Sequence, residues 1–142
     1  MHFKPVLLQK GFTLIELLVV IGIIAILTAA VAIAVNPGRQ FAQARDSQRR
    51  SDIQALLDAV IQYSADNNGT IPSVITTTPT NVGTGTGLVD LSAALVPTYI
   101  TVLPKDPTNG TDADTNYVIF RQGTRVIASA SGEVTPNITM SR

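Results

Sequence analysis

The chain has 142 residues, with 10 basic and 10 acidic side chains, one histidine and no cysteine. Outside its apolar segment this length can build one small domain. The composition excludes a disulfide framework, a thiolate metal site and a cysteine nucleophile, and the balanced charge offers no general attraction for nucleic acid, so none is inferred as a partner.

Residues 1–11 form a polar leader that holds the single imidazole, His2. Once the leader is removed, His-dependent triads and His-ligated zinc are excluded. Taking off Met1 to Gly11 also removes Lys4 and Lys10, leaving 8 basic against 10 acidic residues, a formal charge of −2. Residues 12–35 are an apolar run from Phe12 to Val35 interrupted by one carboxylate, Glu16. At about 1.5 Å per helical residue the run reaches roughly 36 Å, enough to cross a hydrocarbon core of about 30 Å with some tilt. An acid inside such a segment costs roughly a few kcal/mol at the bilayer centre, which points to a partner for it. Lys4 and Lys10 precede the run, and the positive-inside rule puts that end in the cytoplasm and everything after Val35 outside. Gly22 offers a place for another helix to approach closely.

Asn36-Pro37-Gly38 interrupts the helical pattern, because Pro37 lacks a backbone donor and disfavours the helical region for Asn36. A kink or locally melted turn is expected at 36–38. The pattern resumes from Arg39 to Asn67 in amphipathic form. Ile53, Leu56, Leu57, Val60 and Ile61 make one buried stripe. Arg49, Arg50, Gln54, Asp58 and Gln62 lie on the opposite face, and Asp46 with Arg50 makes an i, i+4 pair. Asn67-Asn68-Gly69 is a stop signal.

Residues 70–87, rich in Thr, Gly and Pro, show no sustained period and read as a long surface loop. The Gly-Thr repeat at 83–87 lacks the lysine and helix-opening context of a phosphate loop. Asp90 to Leu95 predicts one short helical turn, capped by Asp90 and stopped by Pro97. Two strands follow, Tyr117–Gln122 and Thr124–Ala130, joined by a hairpin turn at Gly123, with a third, weaker strand at Glu133–Thr135. Val126, Ala128 and Ala130 fall on one face and can cover the stripe of the amphipathic helix. The fold class is α+β: a long N-terminal α-helix with a small antiparallel sheet packed on its amphipathic half. Residues 39–142 form the extracytoplasmic domain.

The segment Lys10-Gly11-Phe12-Thr13-Leu14-Ile15-Glu16 resembles the class III signal of type IV pilins and the pseudopilins of type II secretion. The resemblance continues through LLVVIGIIAIL and into ARDSQRRSDIQALLDAVIQYSADNNG, covering the first half of the chain closely and the second in outline. It implies a pilin-like fold and cleavage by a membrane-embedded prepilin peptidase after Gly11. It also implies N-methylation of the new N-terminal Phe12, and Glu16 as the acid at the fifth place of the mature chain. The implied partners are further copies of the chain in a helical filament, an assembly ATPase, a platform membrane protein, and membrane lipid before assembly. The physics agrees: a carboxylate in the first helical turn is favoured by the helix dipole, and Glu16 can neutralise the Phe12 amine of a neighbour where an unpaired charge is heavily penalised. An ordinary signal anchor or a cleavable secretory peptide is the alternative, since Ala30-Val31-Ala32 and Ala32-Ile33-Ala34 satisfy the small-x-small rule.

Two further clusters stand out. Asp106, Asp112 and Asp114 surround an Asn-Gly turn with oxygen ligands that calcium prefers, and the resemblance to major pseudopilins implies a calcium site in this region; an exposed turn uses the same residue types. Arg45, Arg49 and Arg50 form a basic cluster that suits anionic lipid or an acid on an adjacent subunit, or a solvated face paired with Asp46 and Asp52. No catalytic constellation can be read, and no enzyme activity is expected. The expected function is a structural subunit of a type IV pilus-like filament. The alternatives are a type II secretion pseudopilin, in line with the missing cysteine pair, and a membrane-anchored or secreted binding domain that does not polymerise.

Overall fold

The computed structural model describes residues 11–142 and divides at Pro37 into two units. The first contains α1 (Leu14–Val35), 22 residues with no buried side chain. Thr13 opens it with a capping box. Its hydroxyl accepts from the Glu16 N–H at 3.3 Å, and the Glu16 carboxylate accepts from the Thr13 N–H at 3.4 Å. These contacts satisfy backbone donors that the first turn of a helix otherwise leaves open. Asn36 ends the helix in the left-handed region, at φ 43°. The interruption predicted at 36–38 is thus a single residue, because Pro37 is preorganised for a first helical position and starts the next helix at once.

The second unit is built around α2 (Pro37–Asp66), and its stop is the one the sequence predicts. Asn68 and Gly69 take positive φ, and the Gly69 N–H donates back to the Ser64 carbonyl at 2.8 Å. Ile53, Leu56, Leu57 and Val60 are buried as expected, with Ala59 beside them. Ile61 is not: it is 41% exposed. At about 100° per residue it lies roughly 80° round the helix from Ile53, past the edge of the covered face.

A four-stranded antiparallel sheet covers that face, in the order β1 (Thr80–Asn81), β2 (Tyr117–Gln122), β3 (Arg125–Ala130), β4 (Ile138–Ser141). The β2–β3 hairpin pairs Tyr117 with Ala130 and Gln122 with Arg125. Its two-residue loop begins with Gly123 at φ 61°, the backbone that a type II′ turn demands of its first residue. Tyr117, Ile119, Val126, Ala128 and Ala130 face inward and join the α2 stripe in one core.

Three expectations are corrected. Residues 70–87 are not only a surface loop: they supply β1 and the buried side chains Ile75 and Val82. Within them, Thr84 and Gly85 donate to the Asp112 and Ala113 carbonyls at 3.1 and 2.9 Å, which pins the Gly-Thr repeat. Glu133–Thr135 is not a strand, because its N–H groups turn toward Asp46; the last strand is Ile138–Ser141, with Ile138 buried. The short helix α3 (Ser92–Leu95) starts two residues after Asp90, whose carboxylate accepts from the Ser92 N–H at 2.9 Å. Asp90 therefore shapes the turn ahead of the helix instead of occupying the N-cap.

Leu56 is 1% exposed and central to this core. Replacing it with Ala should cost about 2–5 kcal/mol, read as a lower denaturation midpoint for the full chain in neutral detergent, with helical content before the transition unchanged.

Candidate functional site

Two places gather the residues that the sequence marks. The first is the start of α1. Lys10 lies outside the described residues; Gly11, Phe12 and Glu16 are all exposed, Phe12 at 83%. Phe12 and Glu16 are four residues apart in sequence, but Phe12 precedes the extended N-cap Thr13 and so lies outside the helix, and the one-turn spacing along a helix does not apply to the pair. The Glu16 carboxylate is held beside the Thr13 N–H and hydroxyl, both at 3.4 Å. Beyond it α1 carries no charge, and its one hydroxyl side chain, Thr28, donates to the Ile24 carbonyl at 2.7 Å; with a mean hydropathy of 3.0 the helix is long and apolar enough to cross a membrane.

The second place is an ion cluster in the second unit that corrects the reading of the basic face. Arg49 is not solvated: it is 3% exposed. Its guanidinium grips both oxygens of Asp106, from Nε at 2.6 Å and from Nη2 at 3.1 Å. Nη1 donates to Asp46 at 2.9 Å and to Glu133 at 3.1 Å, and Nη2 also donates to the Thr108 hydroxyl at 2.8 Å. Arg45 reaches the same Glu133 through its Nε at 2.7 Å. Asp46 accepts from three successive backbone N–H groups, those of Glu133, Val134 and Thr135, at 2.8 to 2.9 Å. The expected Asp46–Arg50 pair does not form; Arg50 donates to the Thr135 hydroxyl at 3.0 Å. Asp52 is also buried, and the Tyr117 hydroxyl donates to it at 2.7 Å.

The helical spacing explains this. Asp46 and Arg49 continue toward the N-terminus the stripe that Ile53, Leu56 and Val60 carry, so the face that buries apolar residues at one end buries ions at the other. Buried ions are tolerated only when paired and fully hydrogen-bonded, and among the described residues no buried side-chain polar atom lacks a partner. Gly132 permits the approach, since a Cβ there would come within 2.2 Å of the Thr135 carbonyl and about 3 Å of the Asp46 carboxylate.

The electrostatics follow. Burial opposes ionisation of Asp46, but the three N–H groups and Arg49 outweigh it and hold the carboxyl well below the usual range. Burial likewise opposes ionisation of Asp106, and the Arg49 guanidinium again prevails, lowering it. Arg45, then Arg49, brings Glu133 down to about 2. Burial and then Asp52 push the Tyr117 hydroxyl up.

The three carboxylates expected to hold calcium do not share a site. Asp106 is committed to Arg49, Asp112 meets Lys105 at 3.0 Å, and Asp114 accepts from the Asn81 amide at 2.9 Å and from the Asn116 N–H at 2.9 Å. Among the described residues no group of three His, Cys, Asp or Glu is placed to hold a metal ion. Of the three, Asp106 alone meets Arg49.

Residues 7–32 match the family model of the prokaryotic N-terminal methylation motif. The chain carries the class III signal of type IV pilins and pseudopilins. No curated protein and no solved structure matches the chain.

Two outcomes follow for the cluster. Its carboxyls have folded pKa values lowered from 3.8 for Asp and 4.5 for Glu. Their stabilisation is therefore complete above those values and is lost as pH falls through the folded ones. Thermal melting of the full chain in detergent should be level from pH 7 to about 5 and fall steeply toward pH 2. Asp46→Asn should lower stability at pH 7 by roughly 3–5 kcal/mol and flatten the acid limb.

Proposed function

We propose that this pilin-like precursor is a structural subunit of a type IV pilus-like filament, without chemistry of its own. A prepilin peptidase removes residues 1–11, Phe12 is N-methylated, and subunits leave the cytoplasmic membrane to pack through α1. The observation that carries this reading is the coincidence of the methylation motif with a 22-residue helix that buries none of its side chains and has Glu16 as its single charge. Such a surface suits two surroundings, lipid before assembly and other copies of itself afterwards. Glu16 is the assembly determinant: in a nearly water-free filament core it neutralises the Phe12 amine of a neighbour and so sets axial register. Polar side chains tie packed helices together where no water competes.

An assembly ATPase and a platform protein are the partners that such assembly requires, with the second unit outside the cytoplasm. The missing cysteine pair also fits a pseudopilin of type II secretion. Electron microscopy of producing cells separates a surface fibre from a short periplasmic assembly.

The test combines N-terminal mass spectrometry with filament yield in cells that contain the peptidase. The expected result is a chain beginning at Phe12 and carrying one added methyl group. Glu16→Ala should leave membrane insertion intact and cut filament yield at least tenfold. An intact N-terminus in a monodisperse monomer, or a full yield of filaments from the Ala variant, overturns the reading.

A further inference from the structure

The second unit carries two cavities of similar size that differ in charge. One, of about 560 Å³, is bordered by Asp106 and Glu133, whose charges Arg49 and Arg45 already neutralise. The other, of about 570 Å³, lies between the segment that follows α2 and the β2–β3 hairpin. Its wall holds one cation, Arg121, and no carboxylate. Thr70, Ser73, Thr76, Thr77 and Thr124 share the rest of the wall with the apolar side chains of Ile71, Pro72 and Ile75.

Arg121 differs from most of the chain's cations. Arg45, Arg49, Lys105 and Arg142 are in ion pairs, and Arg50 donates to Thr135. Among the described residues the Arg121 guanidinium has no hydrogen bond or ion pair, and of the five lining hydroxyls only that of Thr76 is engaged, accepting from the Thr78 N–H at 3.2 Å. The walls are nevertheless held in place. Pro72 and Ile75 are buried beneath the loop, and the Arg121 N–H donates to the Thr76 carbonyl at 2.8 Å, joining the loop to β2.

We infer that this cavity binds a small oxyanion, a carboxylate or phosphate group carried on a hydroxyl-bearing ligand. A guanidinium presents five donors in a planar fork that matches two oxygens of such a group. The surrounding hydroxyls both donate and accept, as hydroxyls on the same ligand require. With no acid in the wall, nothing competes for the cation. Phosphorylated and uronic-acid sugars share this chemistry. The site lies wholly within the second unit and does not depend on the filament reading.

The test is a titration of the 15N-labelled full chain in neutral detergent, followed by NMR, with inorganic phosphate, glucuronate and glucose. At low ionic strength phosphate or glucuronate should give saturable shifts confined to residues 69–77 and 121–124, and glucose none. Saturation by phosphate alone identifies a phosphate-bearing ligand; saturation by glucuronate identifies an acidic sugar. Arg121→Gln should weaken binding at least tenfold. Arg125→Gln, on the other face of the same hairpin, should change it less than twofold. Shifts that never saturate, that spread equally to Arg50 and Arg142, or that persist unchanged in Arg121→Gln overturn the assignment. Unaltered spectra elsewhere in the variants show that they remain folded.

Discussion

An α-helix that is apolar around its whole circumference has no side to turn toward water, and this constraint governs the first unit. An amphipathic helix solves the problem by burying one stripe; α1 has no polar stripe to leave outside, and none of its side chains is buried. Its cover must come from surroundings as apolar as itself. Glu16 is the one charge within the run, and it sits in the first turn, where the Thr13 N–H and hydroxyl lie beside its carboxylate. A single acid at the end of an otherwise apolar helix leaves hydrophobic packing nearly undiminished, and it adds one point at which position along the axis matters.

The second unit solves a different problem with a different interaction. Its core is ordinary: one helix stripe against the inner face of a sheet. At the N-terminal end of that stripe the apolar residues give way to Asp46 and Arg49, and the segments at 106–108 and 131–135 close over them. A charged cluster at this depth is weak evidence for stability, since removing ions from water costs nearly as much as pairing them returns. What it supplies is selectivity of arrangement. A guanidinium that reaches three carboxylates and a hydroxyl is satisfied in one arrangement of the loops, and Asp46 accepts three backbone N–H groups only if Gly132 brings the chain close. Arg49 thereby does for these loops what a bound cation does elsewhere, with the charge attached to the chain and its loss possible only by mutation.

The contrast between Arg49 and Arg121 shows how context decides what an arginine is for. One is buried among acids and fully committed. The other lines a cavity that hydroxyl and apolar side chains share, and its guanidinium donors are unused. In a filament, a weak anion site carried by every subunit would gain from effective concentration what a single copy lacks in affinity.

Much of this protein was legible before its tertiary structure. The apolar run, its single acid, the glycine before Phe12, the stop at Asn67–Gly69 and the β2–β3 hairpin all depend on neighbours within a few residues, and local spacing and turn chemistry report such features directly. What the tertiary structure alone decided depends on residues far apart in sequence. The strand pair Thr80–Asn81 is too short for a period to show. The segment Glu133–Thr135 has strand-like composition, but its N–H groups are taken by Asp46, 87 to 89 positions away. Asp106 has the residue type of a calcium ligand, yet its partner is an arginine 57 positions earlier. Arg49 carried a signal that charge obscured: its spacing to Ile53 and Leu56 places it on the buried stripe. Sequence patterns assign a charged residue to water by default, and only the convergence of distant carboxylates can make its burial affordable.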